Sequence, residues 1–111
     1  MKQTTDVDNE YTRGMASYVA GLRYEDIPAQ ARERLKLLIL DSFGCGIYAA
    51  NLVWSRILID TLSAVDTSTG CGIWGSNRRL SAPHAALVNG TLVQGFELDD
   101  VFHRGPIHVG A

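Results

Sequence analysis

The sequence predicts an all-α fold of about four helices with one short extended segment. Apolar residues recur at helical spacing in two stretches, around positions 11–22 and 54–65. Two further stretches begin close to a proline, Pro28 and Pro83, and the first turn of a helix is where the missing N–H of proline costs nothing. Only "CGIWG", residues 71–75, has an extended pattern, and it is too brief to define a sheet.

Length and composition exclude several classes of protein. The 111 residues allow one domain at most, and 46% hydrophobic with 20% charged residues is globular rather than disordered composition. A net charge of −2 gives no basic surface, so we expect no nucleic acid partner. The N-terminus lacks the apolar core of a signal peptide, and no uncharged apolar run reaches about 18 residues. We therefore expect a cytoplasmic protein without a membrane partner.

The first predicted helix presents one apolar face, and the second follows after "RYEDIPAQ". Asp26 is the predicted N-cap of the second helix, which continues to about Ala50. The residues that form the face of the first helix are Tyr11, Met15, Tyr18, Val19 and Leu22.

The second half of the second helix, "LLILDSFGCGIYAA", is apolar around most of its circumference. Such a helix has to be buried on all sides. Gly44 and Gly46 each cost about 1 kcal/mol inside a helix, a cost that close packing against a neighbour explains. We expect this helix to need more protein around it than four helices supply. The two thiols, Cys45 and Cys71, lack metal or redox spacing and are predicted to be ordinary buried cysteines.

The third helix ends at "DTSTG", and the fourth is predicted to run from the N-cap Ser81 to near Asp100. The apolar stripe of the third helix comprises Trp54, Ile57, Leu58, Leu62 and Val65. At 100° per residue, one face of the fourth helix carries Ala86, Gly90, Val93, Gln94 and Glu97.

Acidic and basic side chains concentrate in the last segment, "ELDDVFHRGPIHVGA", residues 97–111. Carboxylates at the C-terminus of a helix oppose its macrodipole at a cost of about 0.3–1 kcal/mol each, which calls for a reason. Together with the amide, cation and imidazoles nearby, they predict a functional site. Asp99 faces away if the helix persists, so we expect a cap or ion-pair partner there. His84 is predicted to be a surface histidine without a functional role.

Three stretches together resemble the N-terminal part of the MmgE/PrpD family. They are "IPAQARERLKLLILDSFGCGIYAA", "GSNRRLSAPHAALVNGTLVQGFELDD" and the closing acid-and-histidine segment. The family includes 2-methylcitrate dehydratase, cis-aconitate decarboxylase and iminodisuccinate epimerase. Its members have several hundred residues, with a large helical domain and a smaller lid domain. The resemblance implies that residues 1–111 are an incomplete N-terminal part of that helical domain.

The resemblance also assigns site residues. Glu97 stands where many members have the first aspartate of a "D-x-D-D" run, and Asp99 and Asp100 match its paired aspartates. His103 resembles the histidine after that run, and His108 resembles the one opening "HPG". Departures from the pattern are Gln94 for histidine, Val101 for threonine, Phe102 as an insertion, and "HVGA" without the proline. The predicted catalytic residues are Asp100, His103 and His108, and the predicted substrate-binding residues are Gln94, Glu97 and Arg104.

The function implied by the resemblance is proton transfer beside a carboxylate of a small di- or tricarboxylic acid, in a dehydration, decarboxylation or epimerisation. We expect no cofactor and no metal, a small polycarboxylate substrate, and a homo-oligomer in the complete enzyme. The chain alone is expected to be inactive because the cations that an acidic substrate needs are scarce in it. Two alternatives stay open: a non-catalytic helical remnant or subunit that needs a separate chain, and a metal-binding module using Glu97, Asp100, His103 and His108.

Overall fold

The computed structural model of the protein describes residues 9–111 and confirms a mainly helical fold with a very small sheet. In chain order, the elements are α1 (Glu10–Gly21), α2 (Ala29–Ala49), α3 (Val53–Val65), β1 (Cys71–Gly72), β2 (Arg79–Leu80) and α4 (Ala82–Gln94). The chain divides into two compact units, residues 1–33 and 34–111, with the candidate site residues all in the second.

In the described part of the first unit, α1 is capped by Asn9, whose Oδ1 accepts a hydrogen bond from the Thr12 amide at 3.2 Å. A short 3₁₀ turn, Tyr24–Asp26, follows. The predicted N-cap of α2 at Asp26 is wrong. Its carboxylate accepts from the Arg23 amide at 3.1 Å, at the start of this turn, while α2 begins only at Ala29. The proline forces this later start, because it disfavours helical backbone in the residue before it.

The core of the second unit lies between the end of α2, α3, the strands and α4. Small residues at the end of α2, Ala49 and Ala50, let the other elements approach closely. The remaining members of the buried cluster are Ile59, Ile73, Leu80, Ala85, Val88 and Leu92. This cluster fixes the start and the middle of α4, from which the candidate site residues follow.

Gly46 confirms that close packing explains a glycine inside α2. A Cβ atom at this position would lie 2.7 Å from Cε3 of Trp74, so only glycine leaves room for the indole. The Trp74 ring then packs against Phe43, with 4.2 Å between the ring centroids. Gly44, in contrast, has no atom within 4 Å of such a Cβ, so the expected close contact is absent there.

The buried face of α3 is rotated relative to the predicted stripe. Leu58 and Leu62 pack against the core as predicted, but the buried residues of the helix are Ser55 and Ile59. Three residues predicted to face the core are exposed: Trp54, Ile57 and Val65. The small Ser55 side chain allows α3 to approach the core on the face that carries Ser55 and Ile59. The spacing of apolar residues alone does not predict this face.

The extended segment pairs with a second strand that the sequence pattern did not predict. Cys71 and Gly72 pair antiparallel with Leu80 and Arg79. Asn89 of α4 ties the loop between the strands to the helix: its Oδ1 accepts from the Trp74 amide at 3.0 Å and its Nδ2 donates to the Gly72 carbonyl at 3.2 Å. These two bonds give Asn89 a structural role and hold the small sheet on α4.

Asp66 joins the C-terminus of α3 to the N-terminus of α4. One carboxylate oxygen accepts from the Ser68 amide at 2.9 Å, and the other accepts from the Ser81 amide at 2.8 Å and the Ser81 hydroxyl at 2.5 Å. His84 Nδ1 lies 2.7 Å from the same oxygen. Ser81 is the residue before α4, as predicted, but its side chain serves Asp66 instead of capping the helix. His84 is half-buried and structural here, not a free surface histidine.

We expect Asp66→Asn to lower the melting temperature of the chain at neutral pH. Hydrogen bonds from Ser81, Ser68 and His84 hold the pKa of this carboxyl well below its ordinary value of 3.8. A depressed folded-state pKa contributes stability that is present above the ordinary value and is lost as the pH falls through the lower one. Thermal unfolding followed by circular dichroism should therefore show a gap between wild type and variant that narrows below pH 3.8. A gap independent of pH would contradict this, and Asp60→Asn, at an exposed position of α3, is the control.

The outer face of α2, a helix that the sequence predicted to need burial on all sides, is exposed in this chain. Leu37, Leu40, Ile47 and Tyr48 keep between 54% and 68% of their surface accessible. Over residues 9–111, no single helix is long and apolar enough to cross a membrane. Taken together, α2 and α3 have the length and composition for it, but the two helices are bent by 85° relative to each other.

We expect the isolated chain to associate through this α2 face, because burying exposed apolar surface is favourable by about 25 cal/mol per Å². Light scattering coupled to size-exclusion chromatography should give a mass above the 12.1 kDa of one chain. Leu40→Lys should shift the mass towards the monomer, whereas Thr61→Lys, which adds the same charge at an exposed polar position of α3, should not. A monomeric wild type with a sharp thermal transition would contradict this prediction.

Candidate active site

The candidate site begins where α4 ends, at Gln94, well before the predicted end near Asp100. The Gly95 amide closes the last turn on the Thr91 carbonyl at 2.9 Å. Glu97 then takes left-handed backbone geometry, with φ of 61°, as no other non-glycine residue does within residues 9–111. This geometry costs a non-glycine residue about 1–2 kcal/mol. Strain of this kind concentrates at functional sites, where the fold holds one side chain in place.

Glu97 is connected to both ends of the site. Its Oε1 accepts a hydrogen bond from Gln94 Nε2 at 2.6 Å, and its Oε2 lies 3.4 Å from His108 Nε2. The sequence predicted that Gln94 and Glu97 share a helix face. The two side chains do meet, but through a turn after the helix, since the Glu97 amide donates to the Gln94 carbonyl at 2.9 Å.

His108 lies between two carboxylates. Its Nδ1 is 3.0 Å from Asp99 Oδ1, on the opposite side of the ring from Glu97. The chain returns to this point through a tight reversal, in which the Phe102 amide donates to the Ile107 carbonyl at 2.9 Å. The imidazole is largely buried, with 21% of the side chain exposed, and the Asp99 side chain is fully buried. Asp99 is thus the ion-pair partner of a histidine that the sequence placed in the site.

The environment of His108 suits a proton carrier. A neutral imidazole donates one N–H and accepts at its other nitrogen, whereas the protonated ring donates at both. Here a carboxylate oxygen faces each nitrogen. The protonated ring can donate to both Asp99 and Glu97, and the neutral ring can donate to only one of them. One proton can therefore be held or released between His108 and Glu97 while the contact with Asp99 stays in place.

Asp100 occupies a neighbouring position but does not contact His108. It borders a cavity of about 340 Å³ with Arg34, Asp41 and Asp99. The chain backbone approaches its carboxylate closely at Gly110, where a Cβ atom would overlap that carboxylate and come within 2.8 Å of Ser42 Oγ. A side chain at position 110 would therefore displace the Asp100 carboxylate.

The structure does not bring His103 or Arg104 into contact with His108 or Glu97. Both lie in the reversal between Phe102 and Ile107 and are exposed. The His103 ring lies 6.1 Å from the ring of its neighbour Phe102, and Arg104 makes no hydrogen bond or ion pair with residues 9–111. Of the six predicted site residues, Gln94, Glu97 and His108 are in contact as one chain of interactions.

Comparison with known proteins decides the family. A model of the MmgE/PrpD N-terminal domain matches residues 13–111. The chain belongs to the MmgE/PrpD family. This confirms the resemblance drawn from the motifs, and it places Glu97, Asp99 and His108 within the matched domain.

Curated relatives of this MmgE/PrpD chain are named cis-aconitate decarboxylase or cis-aconitate decarboxylase-like protein. The chain is 32% identical to the cis-aconitate decarboxylase-like protein oryM of Aspergillus oryzae over 101 residues, which cover 91% of this chain. It is 29% identical to the cis-aconitate decarboxylase of Aspergillus terreus over 109 residues, and 26% identical to the human cis-aconitate decarboxylase over 101 residues. The matched region spans only 21–22% of the length of these relatives. No solved structure matches the chain.

Two further features of the MmgE/PrpD chain bear on its chemistry, namely the arrangement of metal-ligating side chains and the thiol of Cys45. Within residues 9–111, no three histidine, cysteine, aspartate or glutamate side chains converge as a metal site would require. Cys45 is buried, as predicted, beside an apolar groove of about 800 Å³ that Leu37, Tyr48 and Phe96 help to line. Burial, with Asp41 and Asp99 nearby, raises the pKa of its thiol, so it is a poor nucleophile.

The sequence predicted a cap or ion-pair partner at Asp99, but for an orientation that the structure does not have. Its orientation was inferred from a helix continuing to Asp100, and the helix ends before that point. The family pattern marks Asp99 as part of the paired aspartates, and that was the available signal. Its contact with His108 depends on a backbone reversal that periodicity does not describe.

Proposed function

We propose that this MmgE/PrpD domain contributes the proton-transfer group of a lyase acting on a small di- or tricarboxylic acid. Decarboxylation of a cis-aconitate-like substrate is the reaction favoured among dehydration, decarboxylation and epimerisation, because two curated relatives are named cis-aconitate decarboxylase and a third is named cis-aconitate decarboxylase-like. The observation that carries the proposal is the half-enclosed His108 between Asp99 and Glu97. We also propose a cytoplasmic homo-oligomer as the form of the whole protein.

The proposed chemistry needs one proton donor. When a carboxylate leaves as carbon dioxide, the carbon–carbon bond breaks and its electron pair stays on the substrate. A conjugated double bond and a second carboxylate delocalise that pair until a carbon atom takes a proton. In this proposal, protonated His108 supplies the proton from Nε2, and Glu97 stabilises the protonated ring beforehand. Solvent then returns the proton to the pair, so the site is restored after each turnover.

The polyanionic substrate also needs cations. Carboxylates surround His108, and Coulomb repulsion between them and the substrate has to be offset. Arg104 is the cation of this segment, and as an exposed residue without a partner among residues 9–111 it is free to turn towards a substrate carboxylate. We propose it as a substrate-binding residue, with further cations supplied by the rest of the enzyme.

The test is an assay of the whole protein with cis-aconitate, 2-methylcitrate and iminodisuccinate in separate reactions. Release of carbon dioxide from cis-aconitate is the expected result. Loss of water from 2-methylcitrate, or epimerisation of iminodisuccinate, without any decarboxylation would replace the proposed reaction with that one. A folded whole protein that turns over none of the three would contradict the lyase proposal. The 111-residue chain alone should show no turnover, since Arg104 is the sole cation of its site segment. Turnover by this chain that His108→Ala abolishes would contradict that expectation.

A further inference from the structure

We infer that Asp99 is a positioning residue that fixes the tautomer of His108, with Nδ1–H directed at Asp99 and Nε2 left as the atom that exchanges protons. The contact between Asp99 Oδ1 and His108 Nδ1, at 3.0 Å, carries this inference. Its catalytic meaning rests on the proposed function, but the tautomer itself is a property of this chain.

The burial of Asp99 favours a hydrogen bond donated by His108 Nδ1 to the carboxylate. The side chain is fully buried, and Oδ2 has no hydrogen-bond partner among residues 9–111. A buried carboxylate needs a donor, because desolvation without one is costly. His108 Nδ1 is the donor the structure provides. An ionised carboxylate has no proton to give, so the imidazole has to carry the hydrogen on Nδ1.

The other ring nitrogen of His108, Nε2, is then the atom that can accept a proton. With its single hydrogen on Nδ1, the neutral ring presents a lone pair at Nε2, on the side of Glu97 at 3.4 Å. Glu97 is the exposed member of the group, with 70% of its side chain accessible, so this is the side open to a ligand. A histidine side chain free in water prefers the opposite tautomer, with hydrogen on Nε2. The Nδ1–H form is therefore a diagnostic signature of the Asp99 contact.

The neighbouring carboxylates do not supply the same constraint. Asp100 lies against Gly110 and Ser42, and Glu97 faces the opposite nitrogen. Removing Asp99 alone leaves Nδ1 without an anion. The ring is then free to shift its hydrogen to Nε2, which would block the lone pair that faces Glu97.

Nitrogen-15 NMR of the labelled chain tests the inference in mildly alkaline buffer, where an ordinary imidazole is neutral. Wild-type His108 should show a protonated Nδ1 and an unprotonated Nε2. Asp99→Asn should move most of the population to the Nε2–H tautomer, because an amide can donate to Nδ1. Asp100→Asn, the matched neighbour, should leave the tautomer unchanged. His84, whose Nδ1 faces Asp66 at 2.7 Å, serves as an internal reference in every sample.

Two results would overturn the inference: an Nε2–H tautomer in the wild-type chain, or an unchanged Nδ1–H tautomer in a folded Asp99→Asn variant. If Asp99→Asn does not fold, the spectra of the wild-type chain and of Glu97→Gln test the tautomer of His108 instead. Glu97→Gln should keep Nδ1–H, and a tautomer switch there would assign the control of the ring to Glu97. None of these measurements uses turnover, so their failure is distinguishable from failure of the proposed lyase activity.

Discussion

Replacing His108 with alanine in the whole protein should lower kcat/KM for the carboxylic acid substrate by about 10²–10⁴-fold, the range typical of a lost general acid or base. His108 is the imidazole that the structure holds between Asp99 and Glu97. Steady-state kinetics would measure the loss, with circular dichroism to confirm that the fold persists. His84→Ala is the matched control, because His84 pairs with Asp66 at the other end of α4 and should affect stability rather than chemistry.

A folded His84→Ala variant as inactive as His108→Ala would show that the site is placed wrongly. The paired aspartates provide a second comparison. From sequence we expected Asp100 to matter more than Asp99, but the contact with His108 favours the reverse order. Asp99→Asn should then lower kcat more than Asp100→Asn does.

Two substitutions of Glu97 should have the same effect on activity but different effects on stability. Both Glu97→Gly and Glu97→Gln should lose about 10²-fold in kcat/KM, because neither can carry a negative charge next to His108 Nε2. Their stabilities should differ. Glycine tolerates a φ of 61° without strain, whereas glutamine keeps the strain of the wild type. We expect Glu97→Gly to be more stable than Glu97→Gln by about 1 kcal/mol.

Urea unfolding of the two variants would measure that difference in the free energy of unfolding. A glycine variant that is less stable than the glutamine variant would mean that the left-handed backbone is not strained. A glycine variant with wild-type kinetics would remove the Glu97 carboxylate from the chemistry. The two measurements are independent, so each part of the prediction can fail alone.

The sequence predicted the helices well because their signals are local. The spacing of apolar residues and the prolines located α1 to α4, and the two oddities of α2 correspond to real features. Gly46 accommodates Trp74, and the outer face of the helix remains exposed. The buried face of α3 could not be predicted, since the small Ser55 rather than a large apolar residue marks the line of closest approach.

The candidate site was predicted by residue type but not by arrangement. The end of α4 at Gln94 and the left-handed Glu97 change the direction of the chain before the paired aspartates. Asp99 is thereby buried against His108, nine positions away, while His103 and Arg104 point out of the reversal. Helical periodicity carries no information about such a turn. The family pattern included both Asp99 and His108, which the structure brings into contact, because it records positions rather than geometry.

A crystal structure of the whole protein with a non-reactive tricarboxylate bound is the most direct test of the site. We expect the ligand on the open side of His108, with one of its atoms at hydrogen-bond distance, about 3 Å, from Nε2. Asp99 should remain on Nδ1. A tricarboxylate bound in an active site from which Glu97 and His108 are both remote would contradict the assignment of proton transfer to this part of the chain.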